Sequence, residues 1–445
     1  MLADFLRRFS SDREGNVAII FALSLIPGIF LVGMALDFSS AIQKRTVLNA
    51  AADAAALAAV TPSMMQQSTA NAQAAATNIF NAEASAIPSL TYNPPTVNIT
   101  TTATTRTAVV TYTASSINNF PSVLGQPTWS LSGSSTATAT AAPNINFYLL
   151  LDNSPSMDLP ATTAGINQMI SLTENAPSNG ANAGGCAFAC HESNPAGDNL
   201  GNPGGEDNYA LAKNNNITTR IENMATATQA LMTTATQTEA ANNATYQMAI
   251  YTFNYSGTNT IQALTSNLTT AAASAATINV LEVYDNNYLT KTNDNDDTDT
   301  DFDSAMQQMN TVMPKPGTGA ANSTPQEVLF IVSDGVEDKV SATCSEPLSG
   351  TRCQQPFDTT WCTTIKNRGI LIAVLYTEYL PLPASGPGSN SWYNDWVAPF
   401  QSQIGPNLQN CASPGLYFAV TTDGDITSAM NTLFQESVAT ARLSQ

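Results

Sequence analysis

Residues 17–36 read VAIIFALSLIPGIFLVGMAL, twenty consecutive residues without a charge. As a helix they span about 30 Å, the thickness of bilayer hydrocarbon. Pro27 and Gly28 interrupt the run, but membrane-spanning helices tolerate both. Arg7, Arg8 and Arg13 precede it, which favours a cytoplasmic N-terminus. Lys44 and Arg45 beyond the run, and Asp12 and Glu14 before it, oppose that bias. The competing reading is a cleaved signal peptide. The run is longer than a usual secretory core, and no Ala-x-Ala site directly follows it. A retained anchor is therefore expected, and either reading sends the rest of the chain out of the cytoplasm.

The cysteines agree with export. Cys186, Cys190, Cys344, Cys353, Cys362 and Cys411 all follow the apolar run. An even number on the exported side points to disulfides, with the pairing left open.

Composition excludes several function classes. The net charge is −19, and no basic cluster interrupts it. Nucleic-acid binding needs clustered positive charge, so no nucleic-acid partner is expected. The single histidine, His191, rules out a multi-histidine metal centre on one chain. It also leaves one candidate base and no nucleophile placed beside it. The chain is expected not to be an enzyme.

Three regions follow from the patterning. Residues 1–60 hold the N-terminal tip, the apolar run and an Ala-rich stem, LNAAADAAALAAV. Leu48, Ala51, Ala55 and Ala58 fall on one helical face, whose small side chains allow close approach of a partner element. Residues 61–143 begin with a second helix over 64–87, bounded by Pro62 and Pro88. From 96 to 140 the period changes to two, in Thr-, Val- and Tyr-rich sequence, which predicts a small β-rich unit. Residues 144–445 alternate apolar strands with helical segments, which predicts an α/β domain with a mostly parallel sheet covered by helices on both faces. Strands are expected at 146–152, 246–254, 278–284, 327–335, 369–376 and 415–420. Helices are expected at 208–240, from 260, at 301–313 and at 425–443. Two long insertions, 174–208 and 381–414, interrupt this order. The first carries Cys186, Cys190 and His191; the second carries Trp392, Trp396 and Cys411.

The sharpest chemical signal is Asp152-Asn153-Ser154-Pro155-Ser156-Met157, directly after the strand FYLLL. Asp152, Ser154 and Ser156 can turn three oxygens inward from one tight loop. Asp334 ends the strand LFIVS. In a parallel sheet both loops lie at the carboxyl edge, where sites concentrate. Thr300, just before the helical DFDSAMQQM, offers a third loop, with Thr298 as its rival. Hard oxygen ligands suit Mg²⁺, and also Mn²⁺ or Ca²⁺. The competing account makes the first loop a helix-capping turn and Asp334-Gly335 a plain turn. The acidic run NDNDDTDTDFD (293–303) lacks the order of an EF-hand loop; it reads either as a solvated loop or as a second cation site. Three residues separate Cys186 from Cys190, where haem attachment and thioredoxin-like chemistry need two.

Asp-x-Ser-x-Ser after a strand, a later Thr, and an Asp after another strand resemble the von Willebrand factor type A domain. The resemblance implies a metal-ion-dependent adhesion site at Asp152, Ser154, Ser156, Thr300 and Asp334. The Gly-Gly that usually precedes the Thr is absent here. The N-terminal part resembles the TadG type of Tad/Flp pilus-assembly protein. It does so through Arg-Glu-Gly-Asn (13–16), the apolar run, Gly33, Asp37 and LNAAADAAALAA, then the stretch holding FPSVLG and the Cys-Ala-Phe-Ala-Cys-His insertion. That resemblance implies a bacterial inner-membrane, single-pass protein with most of its chain in the periplasm. Its expected partners are other pilus-assembly or envelope proteins, and membrane lipid through residues 17–36. A surface adhesin binding matrix or another cell is the alternative. A metal-dependent hydrolase is a third reading, and it lacks a base–nucleophile set.

Overall fold

The computed structural model describes residues 16–65, 67–102, 104–120, 126–175, 182–183, 185–195, 205–284, 298–379, 381–421 and 423–443. Arg7, Arg8 and Arg13, most of FPSVLG, the acidic residues before Thr298 and parts of the 174–208 insertion lie outside them. The chain forms two compact units, Met1–Ala141 and Ala142–Gln445.

The first unit begins with α1 (Asn16–Ala58), one helix that carries both the apolar run and the Ala-rich segment, with Pro27 inside it. It is long and apolar enough to cross a membrane, and this supports a single-pass membrane topology. Every described residue from Val17 to Val32 is exposed. Further along, Leu48, Ala51, Ala52, Ala55, Ala56 and Ala59 are buried. They pack with α2 (Thr69–Ser85), which buries Ala72, Ala76, Phe80 and Ala84 at four-residue spacing. Both helices share a core with an antiparallel sheet of β1 (Leu90–Tyr92), β2 (Thr96–Thr101), β3 (Thr105–Ile117) and β4 (Thr128–Thr140). Strand β4 pairs with the whole of β3, while β1 and β2 share its other edge. Residues Ala108, Val110, Tyr112 and Ala114 of β3 point into the core at period two. Small side chains bring helix and sheet close. A Cβ on Gly133 would meet Asn49 Oδ1 and Tyr112 Cε1 at 2.6 Å each.

The second unit is a mixed α/β domain around a six-stranded sheet. Its strands are β5 (Ile145–Asp152), β6 (Tyr246–Asn254), β7 (Gly257–Thr265), β8 (Gln326–Ser333), β11 (Leu371–Thr377) and β12 (Tyr417–Val420), in the order β12-β11-β8-β5-β6-β7. All neighbours are parallel except β6 and β7. All eight residues of β5 are buried, as a central strand covered on both faces requires. Phe147, Leu149 and Leu151 enter a core shared with α5 (Arg220–Asn242), α6 (Leu268–Ala275) and α11 (Ile426–Leu443). Tyr148 and Leu150 enter the opposite core, with α3 (Thr163–Leu172), α7 (Phe302–Val312), α8 (Thr360–Asn367) and α10 (Gln401–Cys411). A hairpin of β9 (Val336–Val340) and β10 (Arg352–Pro356) follows β8.

Several local expectations give way. The residues from 257 to 265 form β7, not a helix. Gly257 takes a φ of 80°, so the chain turns back tightly and its Thr-rich sequence pairs with β6. The helix expected at 208–240 is two helices, α4 (Asn208–Asn214) and α5, separated by Asn216 at a φ of 56°. Residues 278–284 form no strand; Val283 makes one bridge, to Glu192. Within the 381–414 insertion lie α9 (Ser391–Trp396) and α10. Two disulfides join Cys344 to Cys353 and Cys362 to Cys411. The Cys186 and Cys190 side chains face each other.

Candidate functional site

Strand β5 delivers Asp152 to the carboxyl edge, fully buried. The next residues reverse direction, and Ser154 donates to Asp152 Oδ1 twice, from its amide at 3.0 Å and its hydroxyl at 2.6 Å. Ser156 Oγ lies 3.0 Å from Ser154 Oγ. The neighbouring parallel strand β8 ends beside them. Its last residue, Ser333, donates its hydroxyl to Asp152 Oδ2 at 2.5 Å. Asp334 follows, also fully buried. Its Oδ1 accepts from the Val336 amide at 3.3 Å, while its Oδ2 is buried and meets no donor in bonding geometry. Gly335, with a φ of 78°, makes this turn in a place with no room for a side chain: a Cβ would meet Ile404 at 2.4 Å.

The two carboxylates repel each other in a dry setting. Burial, then the charge of Asp334, pushes the Asp152 carboxyl up to about 7, against the hydrogen bonds from Ser154 and Ser333. Burial also raises Asp334, while Ser156 and the Arg220 guanidinium pull it back. Arg220 opens α5 and is itself buried. Its amide donates to Leu159 O at 2.9 Å and its guanidinium to Glu378 O. Leu159 follows the first loop and Glu378 follows β11, so Arg220 reaches across the end of β8 between its two neighbours.

The third loop reaches the same edge. The Asp301 amide donates to Asn254 O at the end of β6, and the Asn254 side chain donates to Asn153 Oδ1. Thr300 is buried and exchanges two backbone hydrogen bonds with Asp338, each 2.9 Å. Asp152, Ser154, Ser156 and Asp334 thus come together, and Thr300 stands on an adjoining loop held through its backbone. Ser333 and Arg220 were not singled out in the sequence. Ser333 had a signal, its place at the strand end beside Asp334; Arg220 had none.

The donors fit a hard divalent cation in kind: carboxylate and hydroxyl oxygens, one of them a buried carboxylate oxygen without a donor. Among the described residues no three of His, Cys, Asp and Glu group to hold a metal ion, so any cation here would rest on two carboxylates and hydroxyls. His191 lies elsewhere, with Nδ1 2.8 Å from Asp207 Oδ2. Trp392 and Trp396 pack on each other at 5.6 Å, and Arg352 lies over the Trp392 ring at 4.6 Å.

Residues 15–76 match the family described as putative Flp pilus-assembly TadE/G-like. No curated protein matches the chain. Among solved structures, the vWF domain of the type V pili tip protein Mfa5 from Porphyromonas gingivalis is 8% identical at a TM-score of 0.36, over 68% of this chain and 97% of that one. The pilus adhesin SpaC from Lactobacillus rhamnosus GG is 12% identical at 0.35, over 80% of this chain and 35% of that one. The PilB minor pilin from Streptococcus sanguinis is 9% identical at 0.32, over 79% of this chain and 78% of that one. Identities this low carry no residue's role from those proteins to this chain.

Proposed function

We propose that this chain is a non-enzymatic, membrane-anchored envelope protein of Tad/Flp pilus assembly. In this reading its second unit is a von Willebrand factor A-like domain that binds a protein partner through a divalent cation. The match at residues 15–76 supports the pilus association. The observation that carries the binding site is the Asp152–Ser154–Ser156 loop set against Ser333 and Asp334 at the ends of two adjacent parallel strands.

Asp152, Ser154, Ser156 and Asp334 would hold the cation, with Thr300 from the adjoining loop. A bound Mg²⁺ supplies local positive charge in a chain of net charge −19. It would relieve the repulsion between Asp152 and Asp334 and favour an acidic side chain from the partner. Ser333 holds the Asp152 carboxylate in place, and Arg220 offsets part of the buried negative charge. In this reading residues 17–36 cross the inner membrane, the N-terminus is cytoplasmic and the bulk of the chain is periplasmic.

Calorimetric titration of the full chain with Mg²⁺ tests the site, beside Asp152→Ala. Co-purification from membranes with and without chelator tests the partner. The expected result is a saturable heat that the variant loses, and pilus components that chelator releases. An equal heat from both proteins would remove the site assignment.

A further inference from the structure

Within the first unit, Asn119 and Phe120, just past the end of β3, are fastened to α1 at the level where the apolar run ends. Asp37, the first residue after the run, is 4% exposed. Its Oδ1 accepts from the Asn119 amide at 2.8 Å and its Oδ2 from the Phe120 amide at 2.9 Å. One turn earlier, Gly33 is the first buried residue of the helix. Phe120 covers it: a Cβ on Gly33 would meet the Phe120 ring at 3.1 Å. Two turns later, Lys44 donates to Ser89 O and to Ser116 Oγ, each at 3.0 Å. The hairpin therefore has a fixed height along α1.

Gly33 lies three residues inside the end of the run, about 4.5 Å at helical rise. Phe120 touches it and still leaves 45% of its own surface exposed. Ile117, Leu36 and Phe38 are exposed around it at 46%, 55% and 51%, and Trp129 stacks edge-on against Phe38 at 5.7 Å. These apolar side chains lie along the stretch of α1 from Gly33 to Lys44, with Phe120 at the membrane end and Ile117 and Trp129 beside Ser116, which Lys44 holds. Asp37 has its two oxygens occupied by backbone amides, and the Lys44 ammonium beside Ile117 is held by Ser89 O and Ser116 Oγ. Interfacial apolar groups bury about 5–10 Å into the headgroup boundary, and aromatic rings concentrate at that level.

We propose that Phe120, with Ile117 and Trp129 of the β3–β4 hairpin, forms a second membrane contact that rests in the headgroup–acyl boundary of the bilayer crossed by α1. The occupant is phospholipid, because Phe120 lies on Gly33 inside the apolar run and the exposed Leu36 and Phe38 follow the exposed apolar side chains of α1 that end at Val32. The inference rests on the reading that residues 17–36 span the bilayer. The contact gives the unit a fixed tilt on the membrane, which a single helix could not impose.

The test uses the full chain in phosphatidylcholine–phosphatidylglycerol vesicles with alkyne-tagged lipid. A photoreactive p-benzoylphenylalanine is placed, one position at a time, at Phe120, Ile117, Leu25 and Val340. Lipid adducts are expected at Leu25, Phe120 and Ile117, several-fold above those at Val340, which is 55% exposed in the second unit. Ile117 reports independently of the Gly33 contact. Adducts at Leu25 with only the Val340 level at both Phe120 and Ile117 would overturn the inference and leave the anchor intact. Protein adducts at Phe120 and Ile117 in place of lipid would assign the patch to a protein partner and likewise overturn it. No adduct at Leu25 would instead remove the anchor reading and the inference with it.

Discussion

Ser333 donates its hydroxyl to Asp152 across two adjacent parallel strands, although the two residues are 181 positions apart in the chain. The bond occupies Asp152 Oδ2 while Ser154 occupies Oδ1. The geometry of Asp152 is therefore set from both loops before any ligand arrives. Removing the Ser333 hydroxyl exposes one carboxylate oxygen in a buried place, a loss of roughly 1–3 kcal/mol. Ser333→Ala is expected to lower the melting temperature of the second unit and to weaken Mg²⁺ binding, measured by thermal melts and calorimetry.

Asp152→Asn separates charge from shape. In chelator the variant keeps the side-chain volume and loses the repulsion with Asp334, while its amide nitrogen cannot accept the hydrogen bond that one carboxylate oxygen took from Ser154 or Ser333. Added Mg²⁺ is expected to raise the melting temperature of the wild type and leave the variant unmoved. Equal Mg²⁺ shifts in the two proteins would contradict the proposed ligand set.

At the opposite end of the same sheet, Glu327 is buried and accepts from the Asn146 side chain at 3.1 Å. Burial pushes its carboxyl up from 4.5 to about 8, against hydrogen bonds from Asn146 and Tyr148. The folded state thus holds this proton more tightly than the unfolded state. Its contribution is fully present below the unfolded pKa and is lost as pH rises through the folded one. Thermal melts across pH 5–8 are expected to fall with rising pH, and Glu327→Gln is expected to flatten that slope.

The two disulfides close loops of very different length. Cys362–Cys411 spans 49 residues, for a chain-entropy effect of roughly 4 kcal/mol. Cys344–Cys353 spans 9, for roughly 2.6 kcal/mol. Paired Ser substitutions are expected to destabilise the second unit more at 362 and 411 than at 344 and 353, read by denaturant midpoints.

In the first unit, Gly133 leaves room where Asn49 and Tyr112 meet by a 2.6 Å hydrogen bond. Gly133→Val would force both side chains off position, at a cost of about 1–3 kcal/mol. Faster proteolysis of residues in this unit, with the second unit unaffected, is the expected signature.

The chain's local patterns carried much of its architecture. The uncharged run, the small-residue face of α1, the period-two stretch of β3 and β4, and the apolar strands that end in Asp152 and Asp334 are each written within a few neighbouring residues. A helix or strand period depends only on such neighbours, so it is legible without a fold. The strand at 257–265 reads locally as helix, because the turn at Gly257 and pairing with β6 decide it. The same limit governs the site. That Asp152 ends a strand is a local fact. That Ser333 reaches it, that Asp334 faces it, that Arg220 lies across the end of β8, and which cysteines join are facts about strand order. These depend on side chains far apart in the chain meeting in a buried, low-dielectric edge, and only the tertiary structure decides them.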